Sequence, residues 1–342
     1  MITVHSATPA FRALVGALMF LLPGCTGDSP EHVKRTFFRL DTAVEVTLVR
    51  HGHTDSELKS AFAAIDSLLK DWEERFSQTH PRSEVLALNQ RTGPAVPVSP
   101  ELARILFDAR RYYDTLQGTL DVTVLPIKEL WGFGEKESVP HLPSVDSIAL
   151  ALKRVDGRKI TVDTLGNIVH FAAPEIRVDV GGVAKGIIFK KIRTLLGPRG
   201  FPDYLFVEGG DISMGGRRGD RTPWRLGVQH PRASDRLLAT LALDSGALVT
   251  SGDYERFFVK DGKRYCHIFD PRTGYSVAHN QSVTLWAMDP VELDMLSTGL
   301  FCWMPDAILA FVESRPRLQC IVVDSAGGIR VSHGWKSRVR FK

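Results

Sequence analysis

Apolar and polar residues alternate over residues 43–50, the pattern of a half-buried β-strand. Thr54 and Glu57 then have the spacing of a capping box at the start of a helix. A second helix is indicated by Ser99 and Pro100, a cap residue followed by a first-turn proline, and Gly118 is expected to stop it. Both segments carry apolar residues at helical spacing, which are Leu58, Phe62, Ile65, Leu68, Leu69, Trp72 and Phe76 in the first and Leu102, Ile105, Leu106, Tyr112, Tyr113 and Leu116 in the second.

Beyond Arg158 the pattern changes to many short β-rich segments with only two helical interruptions, at about 183–196 and 291–303. Strands therefore do not alternate regularly with helices, which disfavours a doubly wound parallel sheet. The pattern predicts a single α+β body of mixed or antiparallel sheets with flanking helices, over residues 36–342. The predicted strands cover residues 159–162, 168–171, 176–180, 204–207, 224–228, 237–243, 256–259, 265–269, 283–287 and 319–323.

The N-terminus departs from this pattern. Residues 11–22 are almost wholly apolar, carry the single charge of Arg12, and lead into Leu22-Pro23-Gly24-Cys25. The run is shorter than the roughly 20 residues that span a bilayer, so it predicts a lipoprotein signal peptide over residues 1–24 rather than a retained helix. Cys25 is the expected lipidation site and residues 25–35 a polar tether, which places the protein outside the cytoplasm, anchored to a bacterial membrane and facing the periplasm or cell exterior. A plain secretory signal with an incidental cysteine is the alternative.

Composition narrows the function classes. The formal net charge of +4 is small for 342 residues and is not gathered into basic runs, which argues against a nucleic-acid partner. Besides Cys25, the cysteines are Cys266, Cys302 and Cys320, an odd number without metal-ligand spacing, so no disulfide framework is implied.

Residues 176–186 form the first segment that indicates chemistry, a predicted strand that passes through Gly181 and Gly182 into a helix. Paired glycines let a backbone approach a ligand closely, and the free amides of a helix start favour an anion. Lys185 is placed where it could face the same anion. A tight strand-to-helix turn without a ligand is the alternative.

His267 and Asp270 follow a predicted strand that ends at a Pro-x-x-Gly turn. A histidine beside a carboxylate suits general base work on a hydroxyl. A purely structural histidine is the alternative.

Asp289 and Pro290 resemble the cap and first position of a helix on which Asp294 and Thr298, four residues apart, share a face. A carboxylate and a hydroxyl are hard oxygen ligands suited to Mg²⁺, which commonly takes further ligands from water and substrate phosphates. A solvated helix face is the alternative.

The order of these segments resembles the FAD:protein FMN transferase family, known as the ApbE family. The resemblance covers about residues 36–303. It is carried by F-S-x(5)-S-E-x-x-x-L-N at 76–89, D-V-T at 121–123, L-W-G-F-G at 130–134, V-D-x-G-G-x-A-K-G at 178–186, E-G-G-D at 208–211, T-S-G-D-Y at 250–254, H-I-x-D-P-x-T-G at 267–274 and the D-x-x-x-T helix.

The resemblance implies a T-fold-related domain that binds FAD as a substrate with Mg²⁺ and transfers FMN to a threonine or serine hydroxyl of an exported acceptor protein, releasing AMP. It implies Asp294, Thr298 and the Gly182 carbonyl as metal ligands, and His267 as the base with Asp270 in support. The implied FAD-site residues are Thr119, Leu120, Asp121, Asp179, Lys185 and Phe269.

Two departures from the family pattern lie where relatives place the flavin. Leu40-Asp41-Thr42 stands where Met-Gly-Thr is common, and Thr79 where an aromatic residue, usually tyrosine, is found. Relatives with a small polar residue at the second position resemble FAD pyrophosphatases as much as transferases. Hydrolysis of FAD to FMN and AMP is therefore an alternative function, and a non-catalytic flavin-binding lipoprotein is a weaker one.

Overall fold

A computed structural model describes residues 32–134 and 138–342 of the chain. The predicted signal peptide and Cys25 lie outside the described residues. Within those two ranges no helix is both long enough and apolar enough to cross a membrane. The helices are α1 (Asp55–Phe76), α2 (Glu84–Asn89), α3 (Pro100–Thr115), α4 (Leu125–Leu130), α5 (Val145–Leu152), α6 (Lys185–Leu196), α7 (Pro290–Phe301) and α8 (Pro305–Glu313).

Eighteen strands are present in the described ranges. They are β1 (His32–Arg39), β2 (Thr42–Val49), β3 (Ala95–Pro97), β4 (Ile160–Asp163), β5 (Ile168–Phe171), β6 (Tyr204–Glu208), β7 (Asp211–Gly215), β8 (Trp224–His230), β9 (Ala233–Leu243), β10 (Gly246–Gly252), β11 (Phe257–Lys260), β12 (Lys263–Cys266), β13 (Phe269–Asp270), β14 (Tyr275–Ser276), β15 (Asn280–Ala287), β16 (Gln319–Asp324), β17 (Ile329–Val331) and β18 (Arg340–Phe341).

The largest sheet has eight strands in the order β1-β2-β6-β7-β10-β15-β16-β17, and every neighbouring pair is antiparallel. Two three-stranded sheets, β18-β9-β8 and β3-β5-β4, and the ribbons β11-β12 and β13-β14 complete the strand pairing. The arrangement confirms the predicted α+β class with antiparallel sheets and flanking helices.

The large sheet separates two hydrophobic cores. On β2, Val44, Val46 and Leu48 point into the core that contains α1, α6 and α7. Val49 and residues of β6, β7 and β10 pack on the other side against β8 and β9. This follows from the two-residue period of a strand, which sends successive side chains to opposite faces. A third, aromatic cluster lies around Trp131, Phe258 and Phe269.

Helix starts agree with the sequence patterns. The Thr54 hydroxyl accepts from the Glu57 amide at 3.3 Å, and the Glu57 carboxylate accepts from the Thr54 amide at 2.8 Å. The Ser99 hydroxyl accepts from Leu102 N at 3.2 Å, and the Asp289 carboxylate accepts from Val291 N at 3.0 Å. The predicted caps of α1, α3 and α7 are therefore confirmed.

The predicted strand at residues 176–180 is wrong, because this segment is extended but joins no ladder of the described chain. The Asn89 side chain takes the place of a neighbouring strand. Its carbonyl oxygen accepts from Val178 N at 2.7 Å and its amide donates to Val178 O at 2.8 Å. A side chain therefore satisfies the backbone of Val178, while Asp179 N donates to Val122 O at 2.7 Å, so the segment needs no neighbouring strand.

A strand boundary, a divided strand and an additional helix also differ from the sequence patterns. Strand β1 begins at His32, so residues 32–35 of the predicted tether belong to the large sheet. The predicted strand at 265–269 is divided at residues 267–268 into β12 and β13. Helix α8, which starts at Pro305 after Met304, was not predicted among the β-rich segments.

Gly186 sets the approach of α6 to α7. A Cβ atom at this position would lie 2.2 Å from Pro290 O and 2.8 Å from Val291 Cα, whereas one at Gly197 would meet nothing within 4 Å. We expect Gly186→Ala to lower the free energy of unfolding by about 2 kcal/mol, because rigid backbone must move, and Gly197→Ala to change it by less than about 0.5 kcal/mol. Urea unfolding measures both, and equal stability of the two variants would contradict the close approach.

Candidate active site

Gly182 and α7 bring together the three predicted metal ligands. The Thr298 hydroxyl donates to the Gly182 carbonyl at 3.0 Å. One helical turn earlier, the Asp294 carboxylate accepts from Gly186 N at 2.8 Å and is 2% exposed. The turn at 181–183 and α7 therefore bring a carbonyl, a hydroxyl and a carboxylate to the same side of the helix, as the D-x-x-x-T spacing predicts.

Carboxylates outnumber the cation in this cluster. Lys185 forms an ion pair with Asp211, whose other oxygen accepts from Thr250 N at 2.9 Å. Asp294 and Glu208 lie within electrostatic reach of the same ammonium group. Glu208 is 3% exposed, and its Oε2 has no hydrogen-bond partner among the described residues.

Burial raises the pKa of Glu208 to about 7 and that of Asp294 to about 6, although the Lys185 charge opposes both shifts. A further cation would stabilise their ionised forms. The donor set fits Mg²⁺, since the oxygens are hard ligands and Mg²⁺ keeps waters or substrate phosphates in its remaining positions. The described residues contain no group of three or more His, Cys, Asp or Glu side chains close enough to hold a metal alone.

Asp179 fixes the entrance to the glycine turn. Its carboxylate accepts from Gly181 N at 2.8 Å and from Gln78 Nε2 at 3.2 Å, and it forms an ion pair with Lys128 on α4. Burial alone would raise the pKa of Asp179, but the Lys128 charge and these hydrogen bonds hold it below its ordinary value. Asp179 lies beside the turn as predicted, and the sequence patterns did not single out Lys128 or Gln78.

His267 lies at the break between β12 and β13. Its backbone N donates to the Arg256 carbonyl at 3.0 Å, and its Nδ1 lies 3.3 Å from the same oxygen. The carbonyl can only accept, so we assign the proton to Nδ1, which leaves Nε2 with a free lone pair. Burial, together with the charges of Arg256, Lys128 and Lys185, lowers the pKa of His267 to about 3. The ring is therefore neutral at physiological pH.

Asp270, the residue expected to support His267, contacts Arg272 instead of the His267 ring. The Asp270 carboxylate accepts from Arg272 Nε at 3.0 Å, Nη2 at 2.8 Å and the Arg272 amide at 2.9 Å, and the described chain contains no hydrogen bond between it and His267. Asp270 stabilises the turn before Gly274, because its short side chain caps the local amide. The Arg256 carbonyl has the orienting role that was assigned to Asp270.

The side chains of residues 119–121 and of Phe269 are buried. Thr119 Oγ1 donates to Leu116 O at 2.7 Å and accepts from Trp303 Nε1 at 2.9 Å. The Asp121 carboxylate accepts from Gly157 N at 2.9 Å and from the Thr123 amide and hydroxyl at 2.8 and 2.7 Å. The four side chains, including Leu120, are 2–7% exposed. The Asp121 carboxylate therefore holds the turn at residues 121–123 and the Gly157 amide, and the place of Asp121 in the FAD site stays a prediction.

Leu40 and Thr79 lie around the C-terminal end of α1. Leu40 and Asp41 have φ angles of 55° and 62° in the turn between β1 and β2, and Leu40 N donates to Glu73 Oε1 at 2.9 Å. Thr79 is exposed, and its amide donates to Ser77 Oγ at 3.1 Å. Gln78, between Ser77 and Thr79, reaches Asp179, so this end of α1 adjoins the glycine turn.

Comparison with known proteins decides the family. The ApbE family model matches residues 40–322. The chain belongs to the ApbE family. Its curated relatives include two proteins named FAD:protein FMN transferase, from Haemophilus influenzae (29% identical, covering 84% of this chain and 86% of the relative) and from Vibrio cholerae (30% identical, 92% and 94%).

Solved structures agree with the sequence comparison. The ApbE protein of Thermotoga maritima superposes with a TM-score of 0.83 at 30% identity, covering 91% of this chain and all of that chain. The flavin transferase ApbE of Vibrio cholerae gives a TM-score of 0.80 at 28% identity, covering 90% and 99%. The resemblance read from the motifs is thus confirmed over nearly the whole described part of this ApbE-family chain.

The protonation state and the tautomer of His267 can be measured directly. Because its pKa is lowered to about 3, the FAD-free protein should show imidazole nitrogen signals of the neutral, Nδ1-protonated ring that do not change between pH 8 and roughly pH 5. Nitrogen-15 NMR of the histidines, with His267→Gln to assign the signal, tests this. A His267 titration midpoint near the ordinary value of about 6.5 would contradict the lowered pKa, and the signals of an Nε2-protonated ring would contradict the tautomer.

Proposed function

We propose that this ApbE-family protein is an FAD:protein FMN transferase that, with Mg²⁺, moves FMN from FAD to a threonine or serine hydroxyl of an exported acceptor protein and releases AMP. The observation that carries the proposal is the convergence of the Gly182 carbonyl, Thr298 and Asp294 beside a buried cluster with excess negative charge. The names of the curated relatives support the same enzyme class.

In this proposal the Gly182 carbonyl, the Thr298 hydroxyl and the Asp294 carboxylate hold Mg²⁺. The ion would neutralise charge on the pyrophosphate oxygens, which phosphoryl transfer chiefly requires. Lys185 places a second positive charge at the start of α6, where the helix dipole also favours an anion. The turn and helix thus orient the pyrophosphate of FAD.

His267 takes the acceptor proton. The hydroxyl oxygen attacks the FMN-side phosphorus, the bond from that phosphorus to the bridging oxygen breaks, and AMP leaves with the bridging oxygen. The hydroxyl proton passes to Nε2 of the neutral ring, which the Arg256 carbonyl orients through Nδ1. The low pKa keeps the ring neutral before the reaction but also makes it a weak base, so the negative charge of the bound pyrophosphate has to raise that pKa for the proton to transfer.

A second candidate, hydrolysis of FAD to FMN and AMP, is favoured by the exposed Thr79. Its hydroxyl lies 3.4 Å from Ser77 Oγ, within its own turn. A small side chain there offers less apolar cover for a flavin than an aromatic ring, so water has easier access to the phosphorus. Transfer and hydrolysis share the same metal ligands and differ only in the attacking oxygen.

Asp294→Asn tests the metal assignment. It keeps the shape of the side chain but removes its charge, so Mg²⁺-dependent release of AMP from FAD should fall by about 100-fold, equivalent to a few kcal/mol of transition-state stabilisation. Glu292→Gln, on the same helix and half-buried, is the matched control and should retain activity. Chromatographic measurement of AMP compares the two variants with the wild type. Full turnover by Asp294→Asn would exclude Asp294 as a ligand.

We also propose that the protein is exported and anchored by lipid on Cys25. The apolar run at 11–22 and the short polar segment before β1 support this. In cells that produce the full chain, Cys25→Ser should move the protein from the membrane fraction to the soluble fraction, as measured by fractionation and immunoblotting. Unchanged membrane association would argue against the anchor.

A further inference from the structure

Arg232 and Asp253 form a two-pronged ion pair next to the proposed active site. Arg232 Nη1 and Nη2 lie 2.6 and 2.7 Å from the two oxygens of Asp253. Arg232 occupies the turn between β8 and β9 in the second sheet, while Asp253 directly follows β10 of the large sheet. Asp253 is 7% exposed, and Arg232 is the cation that contacts both of its carboxylate oxygens.

Asp253 stands at the base of the β11-β12 ribbon. Its amide donates to Gln281 O at 3.0 Å, and three residues later Arg256 precedes β11. Phe257 and Cys266 form the pair at one end of the β11-β12 ribbon. Just beyond this pair, the Arg256 carbonyl accepts a hydrogen bond from the His267 amide at 3.0 Å. The same carbonyl faces His267 Nδ1, so the position of residue 256 sets both the ring orientation and its tautomer.

The two strands of the ribbon are held in different ways. At the end of β12, Cys266 N donates to Ser276 Oγ at 2.7 Å and Cys266 O accepts from the same hydroxyl at 2.8 Å. The entry to β11 is held by the Asp253 amide, by Arg256 Nη2, which donates to Phe133 O at 3.3 Å, and by Arg264 Nη1, which lies 3.5 Å from Asp253 O. Loss of Arg232 would leave the buried Asp253 carboxylate with only the more distant charge of Arg264, and its relaxation toward water would shift residues 253–256 relative to His267.

We propose that Arg232, through Asp253, is a positioning residue that holds the Arg256 carbonyl against Nδ1 of His267. The inference rests on the proposed role of His267 as the base. Arg232 touches neither the proposed metal ligands nor Lys185. Its effect is on the proton-transfer geometry, so it acts on the rate of the chemical step rather than on FAD binding.

The variants Arg232→Ala and Arg232→Lys test the positioning role of Arg232. Arg330→Ala is the matched control, because Arg330 forms equally close ion pairs, at 2.6 Å to Asp306 and 2.7 Å to Asp324. Single-turnover release of AMP at saturating FAD and Mg²⁺ should be at least about tenfold slower in Arg232→Ala, with FAD affinity within about threefold of the wild type. Arg232→Lys should recover part of the rate, and Arg330→Ala should match the wild type. An unchanged rate in Arg232→Ala, or an equal loss of rate and FAD affinity, would overturn the proposal.

A double mutant separates this inference from the proposed function. If Arg232 acts only through His267, adding Arg232→Ala to His267→Ala should not slow the residual reaction further. Multiplying losses would overturn the positioning role while leaving His267 as the base. Full activity of His267→Ala alone would overturn the base assignment and this inference with it.

Discussion

Uncompensated buried negative charge is the constraint on which the active site depends. Asp294, Glu208 and Asp211 surround the single ammonium group of Lys185, and burial raises the pKa values of the first two. Charges removed from water are costly unless a partner is present. The packing of α6 against α7 at Gly186 holds these groups in place, so Glu208 and Asp294 keep their protons to a higher pH than free carboxyl groups unless a further cation balances their charge.

Local signals made parts of the fold predictable. Capping residues act on amides two or three positions away, so Thr54, Ser99 and Asp289 mark helix starts without any knowledge of the tertiary structure. The four-residue spacing of Asp294 and Thr298 similarly places both on one helix face. Residues 176–180 show the limit of this reasoning, because the apolar pattern of an extended segment does not reveal whether a strand or the Asn89 side chain satisfies its backbone.

The partners of the site residues were beyond sequence reasoning because they are distant in the chain. Proximity in sequence favoured Asp270 as the support of His267, yet Arg272 is nearer to Asp270 and captures it. Lys128 lies 51 residues from Asp179, and Arg232 lies 21 residues from Asp253. Such pairs are set by how the sheets and ribbons cross. No periodicity encodes them, although the turn-forming T-S-G-D-Y stretch did mark the location of Asp253.

Transfer of FMN to a protein hydroxyl can be tested in one reaction. The mature protein is incubated with FAD, Mg²⁺ and an acceptor protein that carries an exposed threonine. AMP and flavin fluorescence on the denatured acceptor, separated by gel electrophoresis, report the two products of transfer. We expect AMP together with a fluorescent acceptor, both dependent on Mg²⁺. AMP with free FMN and an unlabelled acceptor would assign hydrolysis instead, and unchanged FAD would contradict an enzymatic role for the site.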